Sequence, residues 1–179
     1  LLASFGLNAH STKEVLVFGT SNEWGVGANP RLDSAWVYRL AKMIAPYGWT
    51  VYNVGVSNTT YSDTIVAGRI RLSSYFRNQR NRNPKVVVFG GPTNDGQAAL
   101  GTYPDRFFQR DYEAKIDSVK KWWPTARIVV CTAFPCTKGA FLPQANLDTT
   151  VNPVVESAAI TKLAVLCRFN TLPTAILST

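Results

Sequence analysis

Three short clusters in this chain combine small residues with groups able to act on an acyl carbon. They are Gly19-Thr20-Ser21-Asn22, Gly55-Val56-Ser57-Asn58-Thr59-Thr60 and Gly90-Gly91-Pro92-Thr93-Asn94-Asp95-Gly96. Together they offer a hydroxyl, backbone N–H groups beside glycines, and a side-chain amide. Acyl transfer needs these parts: a nucleophile, and donors aimed at the oxyanion that develops on the carbonyl. Each cluster is a weak signal alone. The signal strengthens because each directly follows an apolar run.

Those runs are the elements that must position the clusters. Residues 14–19 form a short apolar run closed by glycine, the pattern of a buried strand. Residues 49–54 read as a second strand. Residues 85–90 read as a third, continuous in β-branched residues as a central parallel strand is. Between the first two, Val37, Leu40, Ala41 and Ile44 recur at helical spacing, with Asp33 or Ser34 as N-cap and Gly48 as the residue that ends the helix. The pattern further predicts helices over 62–76, 105–123 and 154–169, and strands over 126–133 and 171–178. Residues 78–84 and 134–152 read as loops. Strand and helix alternate throughout, which predicts a three-layer α/β/α sandwich around a five-stranded parallel sheet. Residues 1–13 form an N-terminal arm to a domain over 14–179. In such sheets ligands bind beyond the carboxyl ends of the strands, where the three clusters fall.

This arrangement resembles the SGNH (GDSL) hydrolase superfamily, which has a flavodoxin-like fold. The family's first block, Gly-Asp-Ser, is met by Gly19-Thr20-Ser21, and its second-block glycine by Gly55 in Asn53-Val54-Gly55-Val56-Ser57. Its third block, Gly-x-Asn-Asp, is met by Pro92-Thr93-Asn94-Asp95. The resemblance implies Ser21 as nucleophile and the Gly55 N–H and Asn94 side-chain N–H as oxyanion donors. Thr20, Asn58 and Asp95 are the neighbouring binding positions. It also implies ester or acetyl-ester hydrolysis, with a small ester or an acetylated carbohydrate as substrate.

The departures are specific. Thr20 stands in place of the family's aspartate, Pro92 in place of its glycine, and Asn58 where a glycine is frequent. The family's last block, Asp-x-x-His, supplies the base and follows the fifth strand; this sequence has no such block, and its single histidine is His10. In a comparable triad, losing the base costs on the order of a million-fold in kcat. Two expectations follow: an esterase domain whose catalytic C-terminal segment lies outside this chain, or a catalytically inactive structural or carbohydrate-binding module of a larger assembly. The second would bring another protein chain as partner.

Composition narrows the classes further. At 46% hydrophobic and 17% charged residues, the chain is neither disordered nor a disulfide scaffold. Cys131, Cys136 and Cys167 have neither zinc spacing nor the pattern of a disulfide framework; Cys131 and Cys167 read as buried free thiols, with a Cys131–Cys136 bridge as the lesser alternative. Cys167 is expected at the end of a helix. The acids Glu23, Asp33, Asp148 and Glu156 show no spacing for a metal or carboxylate pair, and no cofactor is expected. Gly25-Val26-Gly27 lacks the third glycine of a nucleotide loop. The net charge of +8 gathers between Arg69 and Lys85, where it reads as a solvated helix face and loop rather than a nucleic-acid site. No apolar run is long enough to span a membrane. Residues 1–9 read as an extended arm or as the end of a signal segment, the latter pointing to secretion.

Overall fold

The apolar run at the start of the domain is a central strand because both of its faces are covered. In the computed structural model, which describes residues 13–26, 28–63, 70–96, 105–135 and 144–171, β1 (Lys13–Phe18) pairs in parallel with β2 (Trp49–Asn53) on one side and β5 (Val86–Phe89) on the other. Beyond β5 lie β6 (Arg127–Cys131) and β7 (Val165–Cys167), also parallel, giving the order β2-β1-β5-β6-β7. Alternate residues of a strand point to opposite faces. Leu16, Phe18, Val87, Phe89 and Val130 accordingly pack on one side, with Phe108, Tyr112, Ile116 and Val119 of α5 (Asp105–Trp122) and Val155 and Ala158 of α7 (Asn152–Thr161). Val15, Val17, Val88 and Cys131 pack on the other, with Val37 of α3 (Trp36–Ile44). The result is the expected three-layer sandwich. The chain leaves β1 for β2 on one side and returns to β5 on the other, so a crevice opens at the carboxyl end of β1.

Several local expectations differ. Asp33 and Ser34 do not cap the helix before β2. They lie in the short α2 (Arg31–Ser34), and Ala35 is the N-cap of α3 without a side-chain cap. That helix ends at Ile44, a 3₁₀ turn follows over Ala45–Tyr47, and Gly48 closes it in the left-handed conformation. Of the helix expected over 62–76, the described residues show α4 (Ser73–Phe76). Ile70–Arg71 instead forms β4, paired in parallel with β3 (Thr59–Thr60) in a two-stranded sheet. Residues 64–69 lie outside the described residues.

The loop expected over 134–152 is helical in its second half. There α6 (Gln144–Asn146) runs through a π-helical turn, Leu147–Val151, into α7. Pro135, Gly139 and Pro143, with the polar residues among them, predict a loop, whereas the next proline, Pro153, lies in the first turn of α7. The wider turn sits over the carbonyl of Thr149, four residues before the proline, where its ring would clash in an ordinary α-helix. The last helix ends at Thr161, not 169, and the fifth strand of the sheet is β7. The strand expected over 171–178 falls almost wholly outside the described residues. Cys167 therefore lies in a strand, in register with Cys131, and both are unbridged. Cys136 and His10 lie outside the described residues.

Candidate active site

The first loop is built as one helical turn set against the end of β1. Ser21 is the first residue of α1 (Ser21–Trp24), half-buried, and its carbonyl accepts the N–H groups of Gly25 and Val26, both at 2.9 Å. Gly25 adopts φ 90°, a left-handed conformation that glycine enters without a Cβ penalty, and so ends the turn. Thr20, the N-cap, is fully buried. Glu23, the third residue of the turn, reaches back and accepts the Thr20 N–H at 2.6 Å through Oε2, one half of a capping box. A carboxylate therefore meets this turn after all, although position 20 itself carries none.

The Glu23 side chain is fully buried and fills a slot walled by glycines. A Cβ on Gly19 would lie 2.2 Å from its Cγ, and one on Gly90 would lie 2.3 Å from its Cδ. A Cβ on Gly55 would lie 2.6 Å from Glu23 Cβ and 2.9 Å from Trp24 N. Gly55 is thus required by close approach of two backbones rather than by a positive φ, which it does not have. Burial pushes the Glu23 carboxyl up to about 7, against the opposing pull of the Thr20, Glu23 and Gly91 N–H groups.

The second and third loops are tied to this turn and to each other. Asn53, the last residue of β2, donates from Nδ2 to the Glu23 carbonyl at 2.6 Å, and its Oδ1 accepts the Gly55 N–H at 2.9 Å. Asn94 donates from Nδ2 to the Thr59 carbonyl at 2.8 Å. Asn22 donates from Nδ2 to Thr93 Oγ1 at 3.0 Å. Asp95 accepts the N–H groups of Tyr61 and Ser62, each at 3.0 Å. Its carboxyl is raised to about 6 by burial, opposed by those two N–H groups and by Lys115. Asn58 is exposed with φ 67°, a conformation asparagine tolerates better than most residues, which explains how it stands where glycine is frequent.

The fold therefore brings the Ser21, Gly55 and Asn94 loops together at the ends of three adjacent strands, β1, β2 and β5. Thr20 and Asp95 are buried, with their bonds directed inward: Thr20 to Glu23, Asp95 to the backbone after β3 begins. Asn58 lies at the rim. Glu23 and Asn53, which connect the loops, went unrecognised in the sequence. The signal for Glu23 was present: Thr20-Ser21-Asn22-Glu23 is a capping-box pattern at a helix start. Among the described residues no three His, Cys, Asp or Glu side chains converge as metal ligands, and no helix is long and apolar enough to cross a membrane.

Comparison with known proteins gives a consistent picture. Est24, a carbohydrate acetylesterase from Sinorhizobium meliloti, superposes with a TM-score of 0.66 at 17% identity, covering 87% of this chain and 83% of that one. TesA superposes with a TM-score of 0.64 at 20% identity over 86% of this chain and 77% of its own. The psychrotrophic esterase EstA from Pseudoalteromonas sp. gives 0.63 at 14% identity, covering 88% of this chain and 77% of that one. At these identities the likeness establishes the fold. No curated protein matches the sequence. The model of the GDSL-like lipase/acylhydrolase family matches residues 17–170, a span that includes all three strand-end loops, and the chain belongs to that family.

Proposed function

We propose that this domain is a serine ester hydrolase in which Ser21 Oγ attacks the acyl carbon of a small ester or an acetylated carbohydrate. The observation that carries this reading is the placement of Ser21 on the first turn after β1, with the Gly55 and Asn94 loops hydrogen-bonded around it. In the reaction Ser21 loses its proton to a base as the tetrahedral intermediate forms. Gly55 N–H and Asn94 Nδ2–H stabilise the oxyanion. Collapse expels the alcohol, and water then hydrolyses the acyl-enzyme. The base would be the histidine of an Asp-x-x-His block supplied from outside this sequence, whose single histidine is His10. In the resting geometry Gly55 N–H is taken by Asn53 Oδ1, so the Asn53 amide must yield as the substrate carbonyl arrives. The acetylated-carbohydrate assignment draws on the likeness to Est24.

A second reading, a non-catalytic module that binds carbohydrate or a protein partner, is favoured by that same occupied Gly55 N–H. A fluorophosphonate probe, applied to the protein together with the segment that supplies the base, separates the two. Covalent labelling at Ser21, absent in Ser21→Ala, together with release of acetate from acetylated xylo-oligosaccharide, supports the hydrolase. A folded protein that is neither labelled nor active supports the module.

A further inference from the structure

We propose that Glu23 is a positioning residue that holds the three strand-end loops in one register, so that Ser21, Gly55 and Asn94 keep a common geometry. Its side chain and main chain reach each loop by a different route. Oε2 accepts the Thr20 N–H at 2.6 Å, immediately before Ser21. Its carbonyl accepts Asn53 Nδ2–H at 2.6 Å, and Asn53 in turn holds the Gly55 N–H at 2.9 Å. Its carboxyl carbon occupies the space that a Cβ on Gly90 would need, at 2.3 Å, where the third loop leaves β5. Glycines at 19, 55 and 90 are thus three walls of one slot, and the slot is filled by this side chain.

A carboxyl is a costly way to fill a slot in the core. Oε1 is buried without a hydrogen-bond partner. A packing role alone would be met by an apolar side chain without leaving an oxygen unsatisfied. The arrangement is intelligible if the carboxyl is needed as the acceptor that fixes the turn bearing Ser21. The titratable groups near it are Tyr61, Tyr112, Cys131 and Asp95. Burial holds Tyr61 and Tyr112 neutral at neutral pH, and a hydrogen bond with Cys167, together with burial, does the same for Cys131. Asp95 is raised to about 6, chiefly by its own burial.

The positioning of catalytic groups rests on the hydrolase reading; the coupling of the loops does not. Amide hydrogen exchange tests the coupling, and the rate of fluorophosphonate labelling at Ser21 tests its consequence. In Glu23→Ala, exchange should rise at least tenfold in residues 19–24, 53–60 and 90–96 together, with β6 and β7 unchanged, and labelling should slow at least a hundredfold. Glu23→Gln keeps an acceptor for the Thr20 N–H and should restore both to within about threefold of wild type. Gly90→Ala should loosen the same three segments, and Glu23→Ala should partly suppress that defect because it vacates the space the new methyl needs.

A comparison without truncation keeps the test decisive if Glu23→Ala fails to fold. Between pH 5.5 and 8, exchange in the three loops, corrected for its intrinsic pH dependence, should rise at least fivefold in wild type, whereas in Glu23→Gln residues 19–24 and 53–57 should stay flat and only the residues around Asp95 should still respond. Loosening confined to residues 19–24, or an equal pH response in both proteins, would overturn the proposal. A wild-type protein that resists the probe while its loops respond as stated would remove the hydrolase reading and leave the coupling intact.

Discussion

Asn94 donates from Nδ2 to the carbonyl of Thr59, and both residues are buried. Its truncation therefore has two separable effects. In Asn94→Ala the Thr59 carbonyl loses its donor inside the protein, which should cost about 1–3 kcal/mol of stability. Loss of an oxyanion donor should lower kcat by roughly 10²–10³ with little change in KM. Urea unfolding reads the first and steady-state kinetics the second; a fall in KM-based affinity alone would place Asn94 outside the oxyanion site. Gly55 and Gly48 make a matched pair for a second prediction. A methyl at 55 meets Glu23 Cβ and the Trp24 backbone, whereas a methyl at 48 meets nothing within 4 Å but sits on a residue with φ 76°. Gly55→Ala should cost about 1–3 kcal/mol by overpacking and abolish labelling of Ser21. Gly48→Ala should cost about 1 kcal/mol from left-handed strain alone and leave labelling unchanged.

At the scale of elements, the end of α7 shows why one boundary was hidden. The Ala164 N–H bonds the Ala159 carbonyl at 2.9 Å, and the Leu163 N–H bonds the Ile160 carbonyl at 3.2 Å. This is a Schellman motif, and the residue at its left-handed position is Leu163, with φ 49° and 91% exposure, where glycine is usual. Leu163→Gly should therefore remove αL strain at little packing cost and stabilise the fold by up to about 1 kcal/mol, read as a higher urea midpoint. A lower midpoint would mean that the exposed leucine is held by contacts its exposure does not suggest. With no glycine or proline to stop it, the apolar pattern of α7 runs on into β7, and the strand there is too short to announce itself by alternation. Strands β1, β2, β5 and β6 were legible because each is a dense β-branched or aromatic run bounded by turn residues. The three loop clusters were legible for the same reason, since a strand end fixes where they must fall. Glu23 was obscured by its own chemistry: a carboxyl is expected at a surface, and only the reciprocal Thr20–Glu23 pattern marks it as a cap.

Two of the buried carboxyls among the described residues, Glu23 and Asp95, are raised by burial, and this sets how the molecule's stability must respond to pH. Glu23 is raised from 4.5 to about 7 and Asp95 from 3.8 to about 6, burial being the largest cause in both. A carboxyl raised in the folded state binds its proton more tightly there than in the unfolded chain. Its contribution is therefore fully present below the unfolded value and is lost as pH rises through the folded one. For Glu23 the loss between about pH 4.5 and 7 is on the order of 3 kcal/mol, and Asp95 adds to it in the same direction over a slightly more acidic window. At lower pH the balance turns, because a chain with a net charge of +8 at neutrality gains further positive charge as its surface carboxylates protonate, and self-repulsion grows. The stability maximum should consequently lie on the acid side, near pH 4.5–5.5. Urea midpoints measured at half-unit steps should fall from pH 5 to 7.5 and level above 8. Glu23→Gln should remove the larger part of that slope and Asp95→Asn the more acidic remainder. A midpoint that is constant over this range in wild type would show that neither carboxyl is held protonated by the fold. The effect belongs to the molecule rather than to either residue, because Glu23 joins the loops of β1, β2 and β5 while Asp95 joins the β5 loop to the segment after β3, and ionising both releases every side of the crevice together.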